Sequence, residues 1–354
     1  MADIIRERTK RIIQHNQRSD VRRAPPKRPN DFSGSRYYAS FNESILDDNT
    51  YTGTAGEDVV FPPAIAHYLL VEIGFGSVTS YITTGASTFG SFANANTDIN
   101  GLVGGDWEII ARYTTEPTTI REAIRGMEAQ APFTTWRSTL DNKMKCEVYK
   151  ETPDSHDRFT DFTGAAYSWS YKEDMIEGSV RVTMSPLEEI INEVHVKHAL
   201  YAPSGEYTRD AWVGPSGSDN GSGTADENGA GDRKDQASES VTQFGIKRAI
   251  TVSADQIYLP AVAVALRNKM FDRFHRPRIL VTFDTWGRAT TMDLNMVTSL
   301  ANDLTDFCQV PKYPYGGAAV EWNDIEFYVR LKSLFNDNGR IRHRVTLEEI
   351  PQVL

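Results

Sequence analysis

Ile325-Glu326-Phe327-Tyr328-Val329-Arg330-Leu331-Lys332, then Asn336-Asp337-Asn338-Gly339, then Ile341-Arg342-His343-Arg344-Val345-Thr346-Leu347: this stretch of a 354-residue chain decides the fold class. Ile325, Phe327, Val329 and Leu331 alternate with Glu326, Tyr328, Arg330 and Lys332, and Ile341, His343, Val345 and Leu347 alternate back. A period of two sends one set of side chains to each face of a strand. Asn-Gly supplies the two positive-φ residues that a tight antiparallel turn needs. The stretch reads as a β-hairpin with one apolar face.

Working upstream, Ile279, Val281 and Phe283 begin another strand, and 258–274 reads as a helix with Val262, Leu266, Met270 and Phe274 in a core-facing stripe. Residues 244–252 read as a strand. Residues 214–240 are Gly, Ser, Asp and Asn with almost nothing apolar, which predicts a long flexible loop. Val194, Val196, His198 and Leu200 have strand spacing, and Ser185-Pro186-Leu187-Glu188 opens a helical turn. Val180, Val182 and Met184 alternate, as do Tyr167, Trp169 and Tyr171. Asp141-Asn142 divides two β runs, 133–140 and 143–150, into a hairpin. Thr119-Ile120-Arg121-Glu122 is a capping box opening a helix that Pro132 ends, with Ile120, Ile124 and Met127 on one face.

Residues 107–113 alternate, and 32–105 predict short strands with long polar loops around the apolar runs 65–73 and 81–83. The tally, about ten strands and three short helices without a strand–helix–strand rhythm, gives an α+β class, β-dominant. Residues 1–31 read as a flexible basic arm ending in Ala24-Pro25-Pro26-Lys27-Arg28-Pro29, residues 32–184 as a first β-rich half and 185–354 as a second.

Charge separates the arm from the body. Residues 1–30 hold nine basic groups and three acids, a net +6; the remaining 29 basic groups and 45 acids give −16, for −10 overall. An acidic body repels bulk nucleic acid, so no specific nucleic-acid binding is expected. No run approaches the ~18 apolar residues that cross a bilayer, and the basic N-terminus has no apolar signal core, so cytoplasmic synthesis, or assembly into something larger made in the cytoplasm, is expected.

Chemistry is sought and not found. There is no phosphate-binding loop, dinucleotide fingerprint or nucleophile elbow. Cys146 and Cys308 form no framework and read as buried apolar side chains. His195 and His198, three apart on a strand, point to opposite faces and do not converge on a metal. Asp226-Glu227-Asn228-Gly229-Ala230-Gly231-Asp232 lacks the fifth-position oxygen and closing Glu of a calcium loop. Asp47-Asp48 and Glu188-Glu189 are pairs that 48 acids produce by chance. Trp107, Trp136, Trp169, Trp212, Trp286 and Trp322 are assigned to core or interface. No catalytic, cofactor-binding or metal-ligating residue is nominated, and no enzyme, cofactor or metal is expected.

The second half resembles the hub proteins at the tip of siphophage tails. Ser185-Pro186 leads into Ile190-Ile191-Asn192-Glu193-Val194-His195-Val196, with Tyr201 closing the strand. After a polar insertion come Ser240-Val241-Thr242-Gln243-Phe244-Gly245-Ile246-Lys247-Arg248, a helix holding Ala261, Ala263, Ala265 and Leu266, and Arg278-Ile279-Leu280-Val281-Thr282-Phe283-Asp284-Thr285. Hubs show similar elements in this order, and the resemblance covers about residues 105–354. Phe244 stands where hubs usually have Tyr, and a late Leu-Gly-Asp element is echoed only by Leu294-Asn295-Met296-Val297. The resemblance implies β-barrel-like domains and a non-catalytic homotrimer at the tail tip or baseplate of a virion. It would join the tail tube and distal tail ring to a central spike or fibre, with the tape measure nearby. A virion carbohydrate or receptor-binding module and a cell-wall glycan hydrolase are the rival expectations.

Overall fold

The computed structural model describes residues 46–48, 55–59, 61–74, 81–85, 88–102, 119–150, 152–161, 163–201, 206–215, 232–304 and 322–350. The arm at 1–31, the alternation at 107–113 and Cys308 lie outside them.

In chain order the elements are β1 (Leu46–Asp48), β2 (Ala55–Asp58), α1 (Pro62–Tyr68), α2 (Phe92–Gly101), α3 (Ile120–Glu128), β3 (Phe133–Arg137) and β4 (Met144–Val148). Then come β5 (Ser168–Trp169), α4 (Tyr171–Asp174), β6 (Arg181–Met184), β7 (Glu193–Tyr201), β8 (Glu206–Val213) and α5 (Asp232–Phe244). The last are β9 (Ala249–Ser253), α6 (Pro260–Phe274), β10 (Ile279–Trp286), β11 (Val297–Leu300), β12 (Glu326–Asp337) and β13 (Arg340–Glu349). The class is α+β, with strands about as common as helices among the described residues and a sheet curled into a half-barrel.

That sheet runs β5-β11-β12-β13-β10-β6, antiparallel except for the β5–β11 pair. It draws strands from both sides of residue 184. A second sheet, β8-β7-β9, pairs β7 and β9 in parallel, with α5 in the connection. One core joins α1, α2, the β3–β4 hairpin, β7, β8 and α6 through Ile99, Cys146, Val148, Val194, Val213 and Phe271. The other fills the half-barrel with Trp169, Phe283, Met292, Trp322, Phe327 and Leu347.

The capping box forms as expected: the Thr119 hydroxyl accepts from the Glu122 amide at 3.2 Å, and Glu122 accepts from the Thr119 amide at 2.8 Å. Asn142 takes φ 61° in the β3–β4 turn, and Asn338 and Gly339 take 51° and 83° in the β12–β13 turn. These are the left-handed conformations on which both hairpin readings depend.

Several expectations are corrected. The run 65–73 is not a strand: it lies in α1 and the π-helical turn Leu69–Gly74 that continues it. Pro62 and Pro63 start that helix, and a short apolar run by itself does not separate buried helix from strand. α2 adds a second helix to the region, burying Phe92, Ala95 and Ile99. The expected flexible loop 214–240 is helical from Asp232, and Phe244 ends α5 instead of beginning a strand. α5 was hidden because its interior contact is the small Ala237 and its anchor is polar, a two-bond clasp of Arg233 on Asp272 at 2.7 and 2.8 Å. Residues 216–231 lie outside the described residues. Tyr171 begins α4 and does not extend β5. On α6 the buried apolar positions are Val262, Ala263, Leu266 and Phe271, whereas Met270 and Phe274 are half-buried.

The hairpin's apolar face is also broken. A bulge lies between Val329 and Leu331, and an extra residue flips every later side chain to the other face. Phe327 and Val329 stay in the core, but Leu331 emerges 50% exposed. On the opposite face Tyr328 is buried against Val297 and Ile350, where its hydroxyl donates to the Lys150 carbonyl at 2.9 Å.

Candidate functional site

The residues singled out by sequence do not converge. Cys146 in β4 is fully buried, and burial pushes its thiol well above the usual range, so it is packing material and not a nucleophile. On β7, His198 is fully buried. His195 is half-buried, stacked on Trp212, with Nδ1 3.0 Å from Asp210 and Nε2 3.1 Å from Glu193. Trp169, Trp212 and Trp322 are buried and Trp136 half-buried, while Trp286 at the end of β10 is exposed. Glu188 is exposed and Glu189 pairs with Arg278. Trp107, the side chains of Asp47 and Asp48, and residues 226–231 lie outside the described residues.

The densest charged group is one that sequence reading missed. α2 contributes Asp98, β4 contributes Glu147, the chain just after β4 contributes Lys150, and the 3₁₀ turn Ser155–Asp157 brings Asp154, His156 and Asp157. The Lys150 ammonium lies 2.7 Å from Asp98, 2.8 Å from Asp154, 2.9 Å from Asp157 and 3.9 Å from Glu147. Asp98, Asp154 and His156 each offer a ligand atom within 4.8 Å of the others, a spacing that suits a metal. The ammonium already sits among these carboxylates as their cation. The local part, Lys150 with Asp154 and Asp157, was visible as an i, i+4, i+7 series. Asp98 is distant in sequence and gave no signal.

Four carboxylates around one ammonium leave excess negative charge in a buried place. Burial, then the Asp157 charge, pushes Glu147 well above the usual carboxylate range, and burial raises Asp98. A carboxyl raised on folding stabilises the fold below its unfolded pKa, near 4.5 for Glu147, and that contribution is lost as pH rises toward the folded value. Glu147→Gln keeps the shape of the protonated acid. Its stability relative to the parent is therefore expected to increase from pH 4 to pH 8, by at most about 1.4 kcal/mol per pH unit. Denaturant unfolding across that range checks this; a constant difference would show that Glu147 ionises freely in the fold.

A second charged knot ties α6 to the half-barrel. Glu348 of β13 accepts from Arg278 at 2.6 Å, Arg330 at 2.9 Å and Arg273 at 3.2 Å. Its neighbour Glu349 accepts from Arg276 and from the Ile279 amide, both at 3.0 Å. Beside this knot a cleft of about 460 Å³ opens between α6 and the β3–β4 hairpin, lined by Phe133, Tyr149, Leu266, Met270 and Arg273. On the solvent face of the sheet, Asp284 holds Arg342 and Arg344 beside a shallow groove that Arg181 also lines.

The most unusual surface is the outer end of the β12–β13 hairpin. Leu331, Leu334 and Ile341 are 50%, 65% and 54% exposed, and Phe335 and Trp286 add two exposed aromatics. By the strand register Leu331, Phe335 and Trp286 share the outer face and Leu334 and Ile341 the other; burying such side chains is worth roughly 1.5–3 kcal/mol each, so the outer-face trio left in water marks a contact surface. Among the described residues no helix is long and apolar enough to cross a membrane.

No protein-family model matches the chain, and no curated protein does. Among solved structures it is similar to a chain of the virion of a native gene transfer agent particle, at 11% identity and a TM-score of 0.36, covering 71% of this chain and 46% of that one. It is also similar to the 43 kDa tail protein of prophage MuSo2 from Shewanella oneidensis, at 10% identity and a TM-score of 0.34, covering 68% of this chain and 59% of that one. The chain thus spans less than two thirds of either.

Proposed function

We propose that this chain is a non-catalytic structural protein of a bacteriophage tail, assembled in the host cytoplasm into the tail tip or baseplate. There it acts as a homotrimeric hub joining the tail tube and distal tail ring to the central spike or fibre. The observation that carries this reading is that three of the four hub-like runs pack on one another. The run 190–201 contains β7, the run 240–248 leads from α5 into β9 alongside β7, and α6 packs on both β7 and β8. The run 278–285 covers all but the last residue of β10, a strand of the half-barrel core that follows α6 in the chain. The exposed hairpin end supplies the contact surface that an assembly protein needs.

The receptor-binding alternative draws on the exposed aromatics Tyr258 and Trp286 and expects saccharide binding by the isolated chain. The glycan-hydrolase alternative draws on Glu128 and Glu147, which line the same cleft. Glu128, however, is engaged by the Thr135 amide and hydroxyl at 2.6 and 2.8 Å. Gold labelling of the chain's C-terminus on purified particles separates these readings from the hub. The label is expected at the tail tip; label on the head or along the tube would contradict the hub.

A further inference from the structure

His195 sits in the middle strand of the β8-β7-β9 sheet with an acid at each ring nitrogen. The register sets it opposite Trp212 of β8 and Thr251 of β9. Val194 and Val196 turn to the core shared with α6, so His195 shares the other face with Glu193 and Lys197 of its own strand. Asp210 reaches Nδ1 from β8 at 3.0 Å, and Glu193 reaches Nε2 at 3.1 Å. Carboxylates only accept hydrogen bonds, whereas a neutral imidazole donates from one nitrogen alone. The geometry therefore fits the doubly protonated imidazolium. Trp212 stacks on the ring with centroids 5.9 Å apart, where its π face favours a cation. The side chain is 24% exposed, so bulk solvent sets its protonation.

The two acids do not depend on the ring equally. Glu193 has a second cation in Lys247, 3.2 Å away on the chain that leads into β9. Asp210 has no other ion partner among the described residues, and its second oxygen is buried without a hydrogen bond. Lys197, opposite Asp210 in the register, forms no ion pair among the described residues. The helices that touch β7 or β8 direct their nearest charges elsewhere: Arg267 of α6 to the Trp212 carbonyl and Arg233 of α5 to Asp272. Asp210 is thus the point at which the edge strand β8 depends on the ring, and residues 206–209 beyond it are mostly exposed. We propose that His195 is a pH-sensitive latch: the imidazolium holds Asp210, and with it the exposed half of β8, onto β7, and loss of its proton releases that half. Burial by itself would lower the His195 pKa, but the hydrogen bonds and charges of Asp210 and Glu193 outweigh it and raise it above 6.5. A histidine raised on folding stabilises the fold fully below its unfolded value and loses that contribution as pH rises through the folded one. The latch is therefore closed below pH 6.5 and opens as pH rises through the folded value.

The test compares the full chain with His195→Gln, whose amide has one donor and one acceptor end, like a neutral imidazole, and cannot carry the charge. In an NMR titration of the histidine rings, the His195 signal is the one missing from the variant. Its midpoint is expected above 6.5, in contrast to His275 and His343, which burial pushes down. Hydrogen exchange over residues 206–213, read by mass spectrometry, is expected to be faster in His195→Gln than in the parent at about pH 6 and equal in the two at about pH 9. A midpoint at or below 6.5 would overturn the proposal. Equal exchange at both pH values would overturn it too, as would an unchanged difference, which reports lost packing. Asp210→Asn keeps the ring and removes the acid that depends on it, so the one histidine midpoint that moves should fall toward 6.5. This variant decides the question if His195→Gln does not fold, and an unmoved set of midpoints in it would overturn the latch.

Discussion

Lys150→Met is expected to lower the stability of the fold by about 3–5 kcal/mol, the cost of leaving buried charge without its partner. The side chain is 10% exposed and its ammonium touches Asp98, Asp154 and Asp157 at 2.9 Å or less. Those contacts outweigh burial and raise its pKa above the usual lysine value. Methionine preserves the stem and removes the charge, so the carboxylates of α2, β4 and the turn around 154–157 would face one another without their cation. Asp157→Asn in the Lys150→Met background should recover part of the loss, because it removes one of the unpaired charges. Denaturant unfolding measures both. A loss below about 1 kcal/mol for Lys150→Met would show that the cluster behaves like a solvent-screened surface pair.

Glu348→Ala is expected to have an effect of similar size, again about 3–5 kcal/mol, because it removes the buried carboxylate that three guanidinium groups share. Burial by itself would raise the Glu348 pKa, but the charges of Arg330, Arg273 and Arg278 together hold it below the usual range. A carboxyl depressed on folding stabilises the fold above its unfolded pKa, near 4.5, and that contribution disappears as pH falls through the folded value. The gap between parent and Glu348→Ala should therefore be full at pH 7 and narrow on acidification below about pH 4. Arg273 lies at the end of α6, Arg278 precedes β10 and Arg330 lies at the β12 bulge, so Glu348 ties the helix to the half-barrel. An equal deficit at pH 7 and pH 3 would mean lost packing and not lost ion pairing.

Sequence reading succeeded where one local rule acted alone. The Asn338-Gly339 turn, the Asp141-Asn142 turn and the Thr119 capping box each depend on residues within a few positions, and each forms. It failed where two rules competed or where the stabilising partner was distant. The 65–73 run satisfied strand and helix periodicity equally, and Pro62-Pro63, a helix-start signal, was the deciding feature. α5 has little apolar surface to detect, since Asp272, forty residues on from the start of the helix, is what anchors it. The hairpin was found, but the bulge after Val329 was not, because Arg330-Leu331 continues the alternation without a glycine to mark the irregularity. That unmarked residue exposes Leu331, so the outward turn of this side chain is not legible in the pattern. The Lys150 and Glu348 knots are tertiary throughout, and acidic or basic residues in sequence look the same whether solvated or buried.

The central claim is that three copies of this chain form the hub of a tail tip. A cryo-electron microscopy reconstruction of the tail tip from purified particles, with the density of this chain assigned and counted, tests it most directly. Three copies around the tail axis is the predicted result. Six or twelve copies would contradict the hub and indicate a ring or tube protein, and a single copy at a fibre end would indicate a receptor-binding module.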